Sequence, residues 1–419
     1  MHSHPFNYRN GSLFCEDADL TSLAETHGTP AYVYSKNAIV SRFEAYRRSF
    51  EGLPTHICFA VKANSNLAVL ATLARLGAGF DIVSAGELHR VLAAGGDANS
   101  VVFSGVGKTA AEIRYALEKG IRGFNCESAP EIETISQIAV SLNRTASIAI
   151  RVNPDVNAVT HPYISTGLRE HKFGIDIAAA EDVYQHAAKL PGIVLEGVSC
   201  HIGSQLLDIG PLLEASSKVL ELITRLRAAG LPIRDLDLGG GLGVAYRPGE
   251  RTACIENLAE RLRPRLEGLG LTLLLEPGRS IVAEAGILLT RVLLTKRNGT
   301  KLFVVVDGAM NDLIRPALYQ AHHEFLPVRE AVDSQTITAD IVGPICETGD
   351  FFARGREIPP VNPGGLLAIC TTGAYGFVLS SNYNSRPRAC ELLVDGARVL
   401  VARKRETFED LVRGESPLV

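Results

Sequence analysis

The feature that most constrains the fold is an alternation of short apolar runs and helix-like stretches between about residue 55 and residue 280. The runs have the length of buried strands, and the stretches between them carry apolar residues at helical spacing. The predicted strands are 56–61, 79–83, 101–103, 123–126, 147–152, 196–200, 235–238 and 271–275. Eight strand–helix units predict a closed (β/α)8 barrel. An open doubly wound sheet is disfavoured because no Gly-x-Gly-x-x-Gly follows the first strand.

After Arg279 the pattern changes to short strands without long helices between them. The predicted strands are 287–295, 302–307, 336–342, 366–371, 389–394 and 398–402, bounded by Gly, Pro and Asn turns. The 419 residues therefore predict an α/β plus all-β chain in three parts. An N-terminal segment (1–30) packs with the β domain, a barrel follows (31–283), and a β domain ends the chain (284–419).

Composition limits the partners and the compartment. A formal net charge of -4 gives no electrostatic reason to expect nucleic acid or an anionic membrane, so a small molecule is the expected partner. No apolar segment approaches the roughly 20 residues of a membrane span, and the first residues lack the pattern of a signal peptide. We therefore expect a cytoplasmic protein. The eight cysteines contain no Cys-x-x-Cys pair, so neither a disulfide framework nor a metal site is predicted.

Lys62 ends an apolar run at the point where the first barrel strand leaves the core. An ammonium there is costly unless it is paired or deprotonated, and a deprotonated lysine amine is the nucleophile that carbonyl chemistry requires. The alternative is a lysine that extends its charged end into solvent. A histidine, His201, and a glutamate, Glu276, also follow barrel strands, at the end where barrel enzymes place their sites.

The glycine run 239–243 follows the seventh predicted strand, and its backbone N–H groups are suited to enclosing a phosphate. An imine-forming lysine with a phosphate cradle implies pyridoxal 5'-phosphate. Glu276 would then keep the pyridine nitrogen protonated, and His201 would stack on the ring. Taken singly, each of these residues has a commoner structural role. Their joint placement beside Lys62 favours the cofactor.

Eight separated motifs extend this pattern along nearly the whole chain. They are 59–64 (FAVKAN), 171–174 (HKFG), 200–205 (CHIGSQ), 239–243 (GGGLG), 276–279 (EPGR), 314–319 (IRPALY), 343–350 (GPICETGD) and 373–376 (GAYG). In this order they resemble the barrel-type pyridoxal-phosphate decarboxylases, and among them the branch that acts on diaminopimelate. The resemblance implies the alanine racemase-like fold, in which a pyridoxal-phosphate-binding barrel is followed by a β domain.

The resemblance also implies roles for single residues. Lys62 would bind the cofactor covalently, with its other contacts made by Asp81, His201, Ser204, Gly241, Glu276, Gly278 and Tyr375. Members of the family are homodimers with shared active sites. The second subunit contributes residues matching Cys346 and Glu347. Cysteine thiols are largely protonated at neutral pH, so Cys346 is suited to returning a proton to the α-carbon after CO2 leaves.

The substrate implied by the resemblance has a carboxylate and an ammonium at its distal end. Arg279 and Arg315 suit the carboxylate, together with Tyr319, because guanidinium binds carboxylates in a bidentate manner. Glu347 suits the ammonium, and Tyr375 completes the expected substrate contacts. Either arginine also has the ordinary alternative of a surface ion pair.

Several alternatives stay open on the sequence. A related decarboxylase acting on D-lysine, D-ornithine, ornithine, arginine or a carrier-bound amino acid would share the lysine, glycine and histidine motifs. An alanine racemase is disfavoured because Cys346 stands where its β domain would be expected to supply a tyrosine base. A catalytically silent binding protein is disfavoured because Lys62 and the glycine loop are both present.

Overall fold

The computed structural model describes residues 5–156, 172–331 and 335–417, which form two compact units. The barrel unit consists of the described residues of Arg42–Val244 together with Arg251–Ser280. The β unit consists of the described residues up to Ser41, Ala245–Glu250 and the described residues from Ile281 onward. The boundaries near residues 30 and 283 that the sequence suggests stay a prediction.

The N-terminal part of the chain contains short strands and two helices. They are β1 (Phe6–Arg9), β2 (Ser12–Cys15), β3 (Ala18–Asp19), α1 (Leu20–His27), β4 (Ala31–Ser35) and α2 (Lys36–Ser49). Strands β1, β2 and β3 form a small antiparallel sheet. Helix α1 begins after Asp19, whose carboxylate accepts hydrogen bonds from the N–H groups of Thr21 and Ser22, as N-cap residues do.

The barrel unit alternates strands and helices. Its elements are β5 (Thr55–Ala60), α3 (Leu67–Arg75), β6 (Gly79–Ile82), α4 (Ala85–Ala93), β7 (Val101–Phe103), α5 (Ala110–Lys119), β8 (Gly123–Cys126), α6 (Ala129–Ser141), β9 (Ala146–Asn153), β10 (Ile175–Asp176), α7 (Ala180–Ala187), β11 (Ile193–Ser199), α8 (Gly210–Ala228), β12 (Asp235–Asp237), α9 (Ile255–Leu266), β13 (Thr272–Leu275) and α10 (Arg279–Val282). Parallel pairing runs in the order β5-β6-β7-β8-β9-β11-β12-β13, and β13 pairs with β5. The predicted closed (β/α)8 barrel is therefore confirmed.

Polar residues at the ends of the barrel strands start the following helices. The side chains of Asn66, Ser84, Thr109 and Ser128 each accept a hydrogen bond from a backbone N–H in the first turn of α3, α4, α5 and α6. These caps satisfy N–H groups that a helix start otherwise leaves without partners. Each helix therefore begins within a few residues of its strand, which keeps the strand ends close to the surface where a site can form.

The β unit continues after the barrel with mostly antiparallel strands. Its elements are β14 (Gly286–Asn298), β15 (Lys301–Val306), α11 (Arg315–Tyr319), β16 (Phe325–Pro327), β17 (Ile337–Val342), β18 (Phe351–Ile358), β19 (Leu366–Ile369), β20 (Cys390–Asp395), β21 (Arg398–Arg403) and α12 (Phe408–Leu411). The main sheet has the order β18-β17-β15-β14-β4-β20-β21, and β19 pairs with β14 and β16. The predicted all-β character after Arg279 is confirmed.

One apolar core joins the N-terminal strands and α1 to the main sheet of the β unit. It contains Leu13 and Leu20 beside Val33 of β4, Ile287 of β14 and Leu392 of β20, all of them buried. Burying such side chains stabilises the unit by about 1.5 to 3 kcal/mol each. In the part of the chain that the structure describes, no helix is both long and apolar enough to cross a membrane.

Candidate active site

Lys62 lies directly after β5, in a short turn formed by Val61–Ala63. Its Nζ is 2.7 Å from Oδ2 of Asp81, which lies on β6 and is fully buried. The second carboxylate oxygen, Oδ1, is also buried and accepts no hydrogen bond from the described residues. The buried aspartate thus holds the lysine in place and still has one acceptor position available at the end of the barrel.

A group of buried polar side chains lies beside this ion pair, inside the barrel. Nδ2 of Asn125, on β8, is 3.0 Å from Oε1 of Glu276 and 2.9 Å from Oδ2 of Asp237. Oγ of Ser104 is 3.3 Å from the same Glu276 oxygen. Burial and then the neighbouring Asp237 charge raise the pKa of Glu276 well above its usual value. Burial likewise raises the pKa of Asp237, to about 6.

His201 is half-buried and follows β11. Nδ1 accepts a hydrogen bond from the backbone N–H of Gly240 at 3.3 Å. Burial lowers the pKa of His201 well below its usual value, and the positive charges of Arg151 and Lys62 lower it further. A neutral, flat imidazole is suited to stacking on an aromatic ring without adding charge to it.

The glycine run after β12 approaches other backbone segments so closely that side chains are excluded. A Cβ on Gly241 would lie 2.5 Å from the carbonyl oxygen of Gly203, and Gly241 has φ +112°. A Cβ on Gly278 would lie 2.8 Å from the Cβ of Ala63. Nearby, Nη2 of Arg279 donates a hydrogen bond to Oγ of Ser204 at 3.1 Å. Exposed backbone, a hydroxyl and a guanidinium are the donors that phosphate oxygens require.

In the β unit, Cys346 and Glu347 lie on an exposed loop between β17 and β18. The N–H of Cys346 donates to Oδ1 of Asn384 at 3.0 Å, and Oε2 of Glu347 accepts from the Tyr383 hydroxyl at 2.8 Å. Asp350 holds the loop in place, because its carboxylate accepts hydrogen bonds from the N–H groups of Met310 and Ile345, each at 2.7 Å.

Arg315 and Tyr319 lie at the two ends of the short helix α11. Arg315 is buried, its Nη1 is 3.1 Å from Nε2 of His323, and its guanidinium lies 4.6 Å from the centre of the Tyr246 ring. Nδ1 of His323 is 2.8 Å from the carbonyl oxygen of Cys370 and must donate to it, so Nε2 is left to accept from the arginine. The guanidinium is therefore held in one orientation.

The structure gathers the predicted site residues of the barrel in one region and leaves those of the β unit in separate local settings. The barrel residues are Lys62, Asp81, His201, Ser204, Gly241, Glu276, Gly278 and Arg279. The residues of the β unit are Arg315, Tyr319, Cys346, Glu347 and Tyr375, the last of which is half-buried with φ +55°. Of the motif 171–174, His171 lies outside the described residues.

Sequence reasoning missed several residues that the structure puts into these networks. Asn125 and Asp237 lie within strands, where alternation toward the barrel interior was the signal that could have found them. Glu87, on α4, accepts a hydrogen bond from the Val83 N–H at 2.7 Å, and burial raises its pKa to about 7. His323 follows α11 in no recognisable pattern, so no local signal marks it.

The barrel residues fit pyridoxal phosphate on three counts. A lysine with a buried aspartate partner, a cradle of glycines with no room for side chains, and a buried acid match the aldehyde, phosphate and pyridine nitrogen of this cofactor. This combination fits an enzyme that uses pyridoxal phosphate, and the sequence places the chain in the class of pyridoxal-dependent decarboxylases. Residues 36–283 match the family model described as "Pyridoxal-dependent decarboxylase, pyridoxal binding domain".

Comparisons over the full chain identify the family within this class. The chain is 55% identical over 414 residues to the diaminopimelate decarboxylase of Pseudomonas fluorescens, covering 99% of both chains. It is 51% identical over 407 residues to that of Neisseria meningitidis serogroup A, covering 96% of this chain and 99% of the relative. The crystal structure of diaminopimelate decarboxylase from Helicobacter pylori complexed with L-lysine has a TM-score of 0.90 at 46% identity, covering 94% of this chain and 98% of that one. The chain therefore belongs to the diaminopimelate decarboxylase family.

The neutral state of His201 can be tested directly by NMR. Since its folded pKa is depressed, we expect its ring signals to keep neutral chemical shifts as the pH falls through 6.5, the ordinary value for histidine. His201→Gln identifies the signals, and the urea-unfolded chain supplies histidines that titrate normally. Below pH 6.5 the unfolded state would bind the extra proton, so this residue makes stability fall with falling pH. A His201 ring that titrates near 6.5 in the folded protein would contradict the assignment.

Proposed function

We propose that the protein decarboxylates meso-2,6-diaminopimelate to L-lysine and CO2, the last step of lysine biosynthesis. The observation that carries this proposal is the joint position of Lys62, the 239–243 loop and Glu276 at one end of the barrel, in a chain that belongs to this family. We propose the cytoplasm as the place of action.

The residues that would hold pyridoxal phosphate lie mainly in the barrel unit. Lys62 would bind the aldehyde carbon, and Glu276 would face the pyridine nitrogen. Ser204, Gly241 and Gly278 would bind the phosphate. Asp81, His201 and Tyr375 would make the remaining contacts with the cofactor. When bound, the cofactor supplies an electron sink for the negative charge left at the α-carbon as CO2 departs. Asp81 keeps the amine of Lys62 at the end of β5, and His201 excludes water from one side of the site.

Substrate selection would depend on a guanidinium held in one orientation and on an exposed carboxylate. Arg315 is oriented by His323 and Tyr246 before substrate arrives, so little side-chain entropy is lost when it binds a carboxylate. Arg279 and Tyr319 would add donors for the distal carboxylate, and Tyr375 would add a further substrate contact. Glu347 carries an exposed carboxylate that would bind the distal ammonium.

We propose that two copies of the chain form a homodimer in which each β unit completes the site of the partner. The support is that Cys346 and Glu347 stand on a loop that is exposed in the single chain yet firmly fixed by Asp350. In the assembled site, the Cys346 Sγ proton would be delivered to the α-carbon from one defined side.

The reaction itself is testable with purified enzyme loaded with pyridoxal phosphate. We expect equal amounts of CO2 and L-lysine from meso-diaminopimelate, and little turnover of ornithine or arginine. Lys62→Ala should abolish turnover together with the visible absorbance of the bound cofactor. Lys119→Ala, at an exposed position on α5, should leave both intact. Faster release of CO2 from ornithine or arginine than from diaminopimelate would reject the substrate assignment.

The shared site is testable by subunit exchange. Lys62→Ala and Cys346→Ala should each be inactive alone. Mixed under conditions that allow exchange, they should recover about a quarter of wild-type activity, because half of the dimers are mixed and each mixed dimer has one intact site. Mass spectrometry of the mixed dimers is the control for exchange. Exchange without recovery would mean that each subunit's residues serve its own cofactor.

The role of Arg315 is testable through selectivity. Arg315→Ala removes a charged partner of the distal carboxylate, so kcat/KM for diaminopimelate should fall by an amount equivalent to about 2 to 5 kcal/mol. D-lysine lacks that carboxylate and should be affected much less. Arg315→Lys keeps the charge without the fork and should be intermediate, and Arg398→Ala, at an exposed position, should change neither substrate. Equal losses on both substrates would assign Arg315 to the fold or the cofactor.

A further inference from the structure

Two carboxyl groups inside the barrel are bridged by a single amide nitrogen. Nδ2 of Asn125 is 2.9 Å from Oδ2 of Asp237 and 3.0 Å from Oε1 of Glu276. Asp237 is 1% exposed and Glu276 is 8% exposed. Contacts of this length to one atom require the two carboxyl groups to lie side by side. Two carboxylates that share a buried position cannot both be ionised without a large electrostatic penalty.

The other hydrogen bonds of the two carboxyl groups are compatible with one proton shared between them. Oδ1 of Asp237 accepts from the N–H of Gly239 at 2.8 Å, which stabilises a negative charge on the aspartate. Glu276 lies beside Asp237, because both acids accept from Nδ2 of Asn125, and the hydrogen-bond donors to its Oε1, Asn125 and Ser104, are neutral. The backbone therefore favours the charge on Asp237 and the proton on Glu276.

The surrounding charges do not neutralise the pair. Lys62 attracts a negative charge on Glu276, but its ammonium is already 2.7 Å from Asp81, and Asp81 adds a third carboxylate nearby. Cys58 and Cys200 lie near both acids, and Lys62 and Asp81 lie near Glu276. Two arginines lie beyond these cysteines, Arg122 near Cys58 and Arg151 near Cys200. Of the two arginines, Arg122 is paired with Asp235 and Arg151 with Glu127.

We propose that Asp237 and Glu276 share one proton at neutral pH, and that Asp237 is the positioning residue that sets how strongly Glu276 holds it. The shared proton is inferred from the common Asn125 contact and the burial of both acids, and only its catalytic meaning rests on the proposed function. With pyridoxal phosphate bound, the negative charge of Asp237 strengthens proton binding at the position that Glu276 presents to the pyridine nitrogen. Glu276 touches the cofactor in this scheme, whereas Asp237 acts only through Glu276.

A cavity of about 340 Å³ reaches Asp237, one member of the pair, and also Asp235, which lies nearer the end where the barrel strands begin. The cavity is lined by Asn125, Asp237, Arg122, Glu196 and Asp235, among others. Asp235 lies at the start of β12 and Asp237 at its end. Barrels of this type are normally filled by bulky branched side chains, but here Gly123 and Ala149 are among the lining residues. The space is large enough for several water molecules. This cavity gives Asp237 a route for proton exchange on the side of the barrel away from Lys62.

The proposal is tested by infrared absorption of protonated carboxyl groups in the full chain, titrated with and without pyridoxal phosphate. We expect a buried protonated carboxyl band at neutral pH that Glu276→Gln removes. Asp237→Asn should move the loss of that band down by at least about one pH unit, a tenfold weaker proton affinity. Asp235→Asn is the matched control. It also removes an inward acid from β12, but one paired with Arg122 at 2.6 Å, so the band should stay.

The outcomes separate this proposal from the proposed function. The titration without pyridoxal phosphate does not depend on cofactor binding or turnover, so an inactive or cofactor-free chain with the expected band still supports the shared proton. If Asp237→Asn fails to fold, Asp237→Ser serves the same measurement. A band unaffected by Glu276→Gln, or an unchanged midpoint after removal of the Asp237 charge, would overturn the proposal.

Discussion

Pairing between β13 and β5 closes the barrel, and the site depends on that closure. Leu275 of β13 lies opposite Ile57 of β5, so the residues that follow these two strands, Glu276 and Lys62, emerge at the same end. All the parallel strands have their carboxyl ends on one side of the barrel. The loops that follow every strand can therefore contribute residues to one small region on that side. In an open sheet with the same strand order from β5 to β13, these two strands would lie on opposite edges. Closure of the barrel therefore brings motifs that are far apart in the sequence together in one site.

The interior of this barrel is unusual because it holds acids where apolar side chains are common. Burying a carboxyl group is costly unless it is protonated or hydrogen-bonded. Asp81 is paired with a lysine, Asp235 with Arg122, and Asp237 and Glu276 share the Asn125 amide. Asp81 and Asp235 are thus each stabilised by a cation, whereas Asp237 and Glu276 share a neutral partner. Because the partners differ, neighbouring carboxyl groups in one cavity can have different charges at the same pH.

The barrel could be predicted from the sequence because its strands are short apolar runs separated by helical spacing. The β unit was predicted less completely. Strand β16 has three residues and ends in Pro327, and β18 contains Arg354, Gly355 and Arg356, so neither shows the apolar alternation of a half-buried strand. Strand β4 is fully buried, but the sequence does not indicate that its neighbours β14 and β20 come from a distant part of the chain.

The candidate site shows the same division. Residues that follow strands, such as Lys62 and Glu276, could be selected because strand ends are where barrel sites form, although their roles stay predictions. Asn125 and Asp237 are inside strands and were not selected, since a polar residue there signals a site only after the interior of the barrel is known. His323 could not be predicted as a site residue, because its role depends on contacts with Arg315 and with the carbonyl of Cys370. The local sequence specifies neither contact.

The position of β4 has a consequence for the order in which the protein can assemble during synthesis. β4 emerges from the ribosome before any barrel strand, yet both of its partners in the sheet, β14 and β20, are made after the barrel. Its fully buried residues, among them Val33 and Tyr34, therefore lack their final neighbours until almost the whole chain has been translated. A chain that stops before β20 leaves one edge of β4 unpaired, and an unpaired apolar strand is a template for association between chains. The nascent protein is thus vulnerable to aggregation from the synthesis of β4 until β20 has been made.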